Sequence, residues 1–394
     1  RPPPRIFLGE AQLRRGPHFA EMMVAGAAAV DGPHTPNPGE VFRNPGLARC
    51  LEDLASGGKG AFYGGRAGRE IVALVQSLGG VLTMEDLASH ASSFPDPLAV
   101  PYHGVQVYEH PPNGQGIAAL LALRQLEGMG AERLGHNSAE YLHLLLEAMR
   151  SAFADARWFV ADPDASEVPV EALLSEGYAA RRRANFDSAR ARADVARGSP
   201  LASCDTVSFQ VVDSMGNAVS AVNSNYMGFG TGLVPKGCGF SLQNRGHGFS
   251  LCAGHPNALA GGKRPFHTII PCMVLDSQGA LYASLTNMGG FMQPQGHVQL
   301  LLNMVDFGME PQRAIDAPRF CIGAHTLTSE ISIEDGVPEE VLASLRAKGH
   351  NVKKLVRGHA RAVFGRAQII RRDPATGVLW GGSDGRADGC AIGW

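Results

Sequence analysis

The stretch CDTVSFQVVDSMGNAVSAVNSNY, residues 204–226, constrains the fold more than any other part of the chain. Thr206, Ser208 and Gln210 alternate with Val207, Phe209 and Val211, the period of a half-buried strand. Asp213-Ser214-Met215-Gly216-Asn217 has turn chemistry, because Gly and Asn accept positive φ. Residues 218–222 then return as a second strand. A turn symmetric about Met215 sets Val212 opposite Ala218 and Thr206 opposite Ser224, with opposed side chains about 5 Å apart at Cβ. Two hydroxyls then meet at the open end of the hairpin. A slip of one residue would turn Ser224 to the other face.

A chain of 394 residues suffices for one large domain or two ordinary ones. Its 44% hydrophobic and 18% charged residues are those of a globular protein. A formal net charge of −2 offers no footprint for nucleic acid or an anionic membrane. No apolar run approaches the ~20 residues of a membrane helix, and the opening RPPPRIFLGE lacks the apolar core of a signal peptide. Seven cysteines without a C-x-x-C pair read as reduced thiols of a cytoplasmic protein. The 14 histidines form no metal-binding motif, so neither a metal nor an organic cofactor is expected.

Periodicity predicts a buried Ala- and Met-rich helix over 19–30 and a helix over 45–55 that ends at Gly57-Gly58. A further helix is predicted over 68–78, with Thr83 and Asp86 capping a short turn after it. Residues 100–108 read as one strand, followed by the loop PPNGQG (111–116) and an apolar helix over 117–126. Asn137-Ser138-Ala139-Glu140 reads as an N-terminal box with an amide cap. His143 and Glu147, four apart on that helix, read as a polar stripe rather than metal ligands. The charged run 181–200 reads as a solvated linker or surface helix. Later come strands over 273–275, 281–285, 368–371 and 378–380, with helices over 296–307 and 338–348. The sum is an α+β arrangement, with helices early and antiparallel strands late.

Four clusters in the second half are suited to chemistry: Thr206 with Ser224, LQNRGHGFS (242–250), GGKRPFHT (261–268), and NMGG (287–290) with its QPQGH. No G-x-S-x-G elbow is present. A Thr hydroxyl needs a base beside it, and one solution is its own α-amine, freed by cutting the chain before it. Gly-Gly N–H groups suit an oxyanion hole, because no side chain blocks close approach.

In this order, the clusters resemble the γ-glutamyltransferase family of self-processing N-terminal-nucleophile hydrolases. The likeness extends over EVFRNPGLA, GGKGAFYGG, GGVLTMEDLASH, PPNGQG, NSAEYLHLLLEAMRSAFADA, DTVSFQVVDSMGNAVS, LQNRG, KRPFHTIIP, MGG, APRF and SDGRADGCAIGW. It looks closest to the glutathione hydrolase-like proenzymes, with the oxamate amidohydrolases a similar branch. The resemblance implies a four-layer αββα sandwich and self-cleavage of the Asp205–Thr206 bond. The pieces, 1–205 and 206–394, would stay together without a covalent link, and a homodimer of such heterodimers is one arrangement open to them. Thr206 would be the nucleophile and its freed amine the base. Ser224 would assist, and Gly289 and Gly290 would form the oxyanion hole. Tyr226, Arg245, His267 and Thr268 would bind substrate.

The departures are specific. Family members that grip a γ-glutamyl group use an Asp near the position of Gly248, an amide where Arg245 stands, and two serines where His267 and Thr268 stand. An Arg without the Asp suits a small carboxylate lacking a free amine, since guanidinium binds carboxylate in bidentate fashion. An Asp commonly follows the glycine pair in the nearer branch, and here it is Phe291. Family chains also carry a long segment ahead of the region around Phe19, so an N-terminally truncated fold is expected. The first reading is a small-molecule amide hydrolase acting on γ-glutamyl compounds such as glutathione. The second is a hydrolase of a small oxo-acid amide such as oxamate. A third class is a truncated homologue that binds or scaffolds without catalysis.

Overall fold

Arg1–Phe94 with Asn225–Asn244 form one unit of the chain, and Pro95–Ser224 with Arg245–Trp394 a second. The computed structural model describes residues 5–24, 32–37, 39–192, 206–323 and 330–394. No described helix is long and apolar enough to cross a membrane.

The first unit carries α1 (Arg5–Leu13), α2 (Pro45–Tyr63), α3 (Arg66–Ser77) and α4 (Met84–Ser89). Asn44 caps α2 by accepting from Leu47 N at 2.9 Å, with Pro45 in the first turn. Instead of ending at Gly57-Gly58, α2 kinks at Gly58 (φ 61°) and resumes to Tyr63. Thr83 and Asp86 form a capping box at α4, as expected. The helix expected over 19–30 is not found where it is described. Phe19–Met22 is a single 3-10 turn with no buried residue, Val24 bridges to His34, and 25–30 lie outside the described residues. Phe19 and Met22 are only partly buried, against a small cluster of Leu13, Met23 and Val234, and Ala and Met propensity alone does not sustain a helix on so small a face.

The second unit begins with β1 (Leu98–Tyr102), β2 (Val105–Glu109), α5 (Gly116–Leu126), α6 (Ala139–Phe159), α7 (Val170–Leu174) and α8 (Glu176–Arg183). The hairpin follows, β3 (Thr206–Val212) and β4 (Ala218–Ser224), then β5 (Cys272–Asp276), β6 (Leu281–Met288), α9 (Met292–Val305) and α10 (Pro311–Asp316). Last come β7 (Phe320–Ile322), β8 (Ile331–Glu334), α11 (Glu339–Ala347), β9 (Val352–Val356), β10 (Arg366–Arg372) and β11 (Leu379–Ser383).

Two readings of this unit are corrected. The strand expected over 100–108 is a hairpin, turned by His103 and Gly104 at φ 41° and 88°. Ser138, not Asn137, caps α6: its Oγ accepts from Tyr141 N at 3.2 Å, while Asn137 Nδ2 donates to Pro318 O at 3.0 Å. The described part of 181–200, the end of α8 and the segment after it, is mostly exposed, as expected, and is also tied down by ion pairs. Arg182 Nε reaches Asp155 Oδ2 at 3.0 Å and Arg192 Nε reaches Glu147 Oε2 at 2.8 Å. His143 and Glu147 are both buried, His143 against His350 and Glu147 between Arg150 and Arg192.

Six strands form one antiparallel sheet in the order β1-β2-β5-β6-β10-β11. Alternation along β6 separates its two faces. Ala283 and Leu285 enter the main core with α5, α6 and α9, and Asn287 Nδ2 donates to Met292 O at the start of α9. Ser284 and Thr286 point the other way, to Gln210 of the β3–β4 hairpin. Helices, six-stranded sheet and hairpin are thus successive layers of an α+β sandwich. The hairpin has the expected register, with Thr206 opposite Ser224 and Val212 opposite Ala218. Its polar side faces β6, and its apolar side is outward: Val207 is 64% exposed and Phe209 58%.

Candidate active site

Thr206 opens β3 and is 2% exposed. Its Oγ1 donates to Ser224 Oγ at 3.0 Å across the hairpin. The hairpin's position on β6 follows from two bonds of equal sequence offset. Ser284 Oγ donates to Val219 O and Ser220 Oγ donates to Leu285 O, each at 3.4 Å and each 65 residues apart. β4 therefore runs along β6 in the same direction. Ser224, at the end of β4, and Thr206 opposite it therefore lie toward the end of β6 from which Gly289 follows. Gln210 fastens this alignment, its amide reaching Thr286 Oγ1 at 3.0 Å and Ser284 Oγ at 2.6 Å.

Gly289 and Gly290 make the turn from β6 into α9 at φ 135° and 61°, values that favour glycine. Both carbonyls are anchored: Gly289 O accepts from Met292 N and Gly290 O from Gln293 N, each at 3.1 Å. A trans peptide points its N–H opposite to its C=O, so the Gly290 N–H is directed away from Met292. Among the described residues neither glycine N–H donates to another group. Phe291, which follows, stacks on Phe266 with ring centroids 6.0 Å apart.

The PPNGQG loop pairs with the segment carrying His267 and Thr268. His267 N donates to Asn113 O at 2.8 Å, Gln115 N donates to His267 O at 2.9 Å, and Asn113 Nδ2 reaches Pro265 O at 2.6 Å. Arg245 is buried and its Nη1 donates to Thr268 Oγ1 at 2.5 Å. Burial, with Arg245 and His110 nearby, pushes His267 down to about 3, so its ring is neutral at ordinary pH. A Cβ added at Gly248 would meet Phe266 O at 2.6 Å, so this backbone has no room for a side chain there.

The structure thus brings Thr206 to Ser224, and Arg245 to Thr268, within the second unit. Tyr226 belongs to the first unit, where it is 3% exposed with φ 76°. Asp205, the other half of the expected cleavage bond, lies outside the described residues.

Several buried side chains behind the glycine turn were given no role from the sequence. Asn287 N donates to His297 Nε2 at 3.2 Å, so the ring proton sits on Nδ1 and is donated to Glu109 Oε1 at 2.6 Å. Burial pushes the Glu109 carboxyl up, against the pull of His297 and Cys272. Glu109, Cys272 and His297 bring ligand-type atoms within 4.8 Å of one another. With the Glu109 and His297 atoms engaged on each other, a hydrogen-bond relay accounts for the cluster. Asn287 Oδ1 also accepts from Arg319 Nη1 at 3.0 Å, and Arg319 Nη2 pairs with Asp384 Oδ2 at 2.9 Å. The only sequence signal for Asn287, His297, Arg319 and Asp384 was their place inside NMGG, QPQGH, APRF and SDGR, and Glu109 and Cys272 carried none.

The glutathione hydrolase-like YwrD proenzyme of Bacillus subtilis is 36% identical over 361 residues, 91% of this chain and 67% of that protein. The oxamate amidohydrolase proenzyme of Klebsiella pneumoniae is 33% identical over 388 residues, 97% of this chain and 70% of that one. Among solved structures, cephalosporin acylase from Bacillus halodurans superposes with a TM-score of 0.83 at 40% identity, covering 92% of this chain and 64% of that chain. The chain therefore spans about two-thirds of the length of these relatives. A family model described as gamma-glutamyltranspeptidase matches residues 8–394, and with these relatives it shows that the chain belongs to the gamma-glutamyltranspeptidase family.

Proposed function

We propose that this chain is a self-processing amide hydrolase whose nucleophile is Thr206. The observation that carries the reading is the buried Thr206–Ser224 hydroxyl pair at 3.0 Å, on a strand whose register on β6 leads to the Gly289–Gly290 turn. In the precursor, Thr206 Oγ1 attacks the Asp205 carbonyl carbon as the Asp205–Thr206 C–N bond breaks. The hydroxyl proton goes to the departing nitrogen, which becomes the Thr206 amine. Water then opens the ester. In the mature protein that amine takes the hydroxyl proton as Thr206 Oγ1 attacks a substrate amide carbonyl; the amide C–N bond then breaks, the proton passes to the departing amine, and the acyl-enzyme remains. Ser224 orients the hydroxyl, and the two glycine N–H groups receive the developing oxyanion. Release of the acyl group to water gives hydrolysis, and release to an amine gives transfer.

For the substrate, γ-glutamyl compounds such as glutathione are the family-level reading. A second reading, a small oxo-acid amide such as oxamate, is favoured by one feature: a buried Arg245 beside a Gly248 that has no room for an acid. Incubation of the purified chain with glutathione and with oxamate separates them by glutamate or ammonia release. N-terminal sequencing of the smaller mature piece tests the nucleophile. It should begin at Thr206, and Thr206→Ala should stay one uncut chain. A piece beginning elsewhere, or a Thr206→Ala chain that still cuts itself, refutes the proposal. A wild type that remains uncut and inactive supports instead a non-catalytic homologue.

A further inference from the structure

Gln115 closes the PPNGQG loop and is fully buried at the start of α5. Its Nε2 donates to Thr268 O at 2.7 Å and to Gly290 O at 2.8 Å. Thr268 is the residue whose hydroxyl receives Arg245, and Gly290 completes the glycine turn. One amide group therefore spans two segments that are distant in sequence and hold the two halves of the candidate site. We propose that Gln115 is a positioning residue that fixes the oxyanion turn against the acyl-binding segment, an inference that rests on the Thr206 chemistry proposed above.

Glycine peptides have no side chain to resist rotation. The bonds from Met292 N and Gln293 N set the turn relative to α9 alone. The Gln115 amide adds the missing reference, holding the turn to the strand-like segment beside Arg245. Its orientation is fixed by what it meets: a flipped amide would face its oxygen to two carbonyl oxygens. Its Oε1 is buried and has no hydrogen-bond donor among the described residues. The Gln115 backbone is pinned separately through its N–H to His267 O, so a change of side chain leaves the loop in place.

The test uses the full chain, with glutathione and oxamate as probes, and compares wild type, Gln115→Met and Gln115→Glu. Gln115→Met keeps length and removes both donors. It should lower kcat by about 10²-fold, the scale of one lost or misplaced oxyanion donor, with KM changed by less than about threefold. Gln115→Glu supplies an internal control against misfolding. A protonated carboxyl donates to one carbonyl, whereas the ionised form repels both. The kcat–pH profile of this variant should therefore gain one ionisation absent from wild type, with activity falling as pH rises through it. A Gln115→Met chain with wild-type kcat, a rise in KM alone, or a Gln115→Glu profile matching wild type would each overturn the inference while leaving the nucleophile untouched. An uncut, inactive wild type removes the Thr206 chemistry and this inference together.

Discussion

Replacing Asp384 by Ala removes the anion that holds two buried guanidinium groups behind the glycine turn. Asp384 Oδ2 lies 2.9 Å from Arg319 Nη2 and accepts from Ala367 N at 2.7 Å, while Oδ1 accepts from Arg386 Nη1 at 3.0 Å and Arg386 N at 2.9 Å. After the change Arg386 still has Glu334, at 2.5 and 2.8 Å. Arg319 does not fare as well. Its side chain is 1% exposed, and the direct hydrogen bonds it keeps are to neutral acceptors, Asn287 Oδ1, Phe364 O and Ile315 O. Leaving a buried charge uncompensated costs about 3–5 kcal/mol, a large part of the ~5–15 kcal/mol that holds a typical fold. Asp384→Asn keeps the shape and one acceptor, so it should cost less, about 1.5–3 kcal/mol. In the double variant Arg319→Met/Asp384→Ala both charges are gone, and the loss should fall short of the two single losses added by about 1–3 kcal/mol. Urea unfolding followed by circular dichroism at neutral pH measures these three variants and the Arg319→Met single that completes the cycle. A cost for Asp384→Ala below about 1 kcal/mol, or a strictly additive cycle, would refute the reasoning. The pH dependence gives a second check. Burial alone would raise the Asp384 carboxyl, but Arg319 and Arg386 outweigh it and hold it below the ordinary range. Its contribution is therefore complete above about pH 4, the unfolded value, and is lost as pH falls through the lower folded one. Asp384→Asn should flatten that part of the stability curve.

Arg157 predicts the opposite behaviour for a guanidinium nearby. It lies over the Phe153 and Phe291 rings at 5.5 and 5.8 Å, its Nε is buried without an acceptor among the described residues, and burial pushes it down to about 10. Loss of the ring contacts offsets relief of the buried charge, so Arg157→Met should change stability by less than about 1 kcal/mol in the same assay. Gly248→Asp should not create a γ-glutamyl grip. Its Cβ would meet Phe266 O at 2.6 Å, so unfolding should show a loss of about 1–3 kcal/mol, with no gain in glutathione turnover over oxamate turnover. His143 and His350 share a buried hydrogen bond of 2.7 Å, and burial, then His143, pushes His350 down to about 4. The neutral ring is the native form. Its contribution is full above the unfolded value of about 6.5 and is lost as pH falls toward 4, by about 3 kcal/mol in all. His350→Gln should flatten the stability curve over that window.

What could be read from the sequence divides by the range of the interaction. The Thr206–Ser224 pairing was legible because a period-2 pattern and a symmetric turn settle it within 18 residues. The Gln115, Arg319 and Asp384 contacts were not, since each partner is chosen by packing across the sheet and helix layers. Asn137 and Ser138 show the same limit at short range. Both side chains are able to cap a helix, and the Pro318 carbonyl drew Asn137 away. The 3-10 turn at Phe19–Met22 shows composition suggesting a helix that only a small, partly buried face supports.

The hairpin carries the sharper lesson, because its period was read correctly while period alone says nothing of sidedness. In a half-buried strand the apolar set ordinarily turns inward. Here Val207, Phe209 and Val211 are exposed, and Thr206, Ser208 and Gln210 turn toward the sheet. The reason lies on β6, which presents Ser284 and Thr286 where an ordinary core would present aliphatic groups. Turned over, the hairpin would bring Val207 and Phe209 against those hydroxyls and leave Gln210 without its two partners. It would also carry Thr206 and Ser224 to the far face, away from β6 and the glycine turn that follows it. The polar interior that spoils the usual hydrophobic rule is therefore the same feature that holds the hydroxyl pair on the side of the glycine turn.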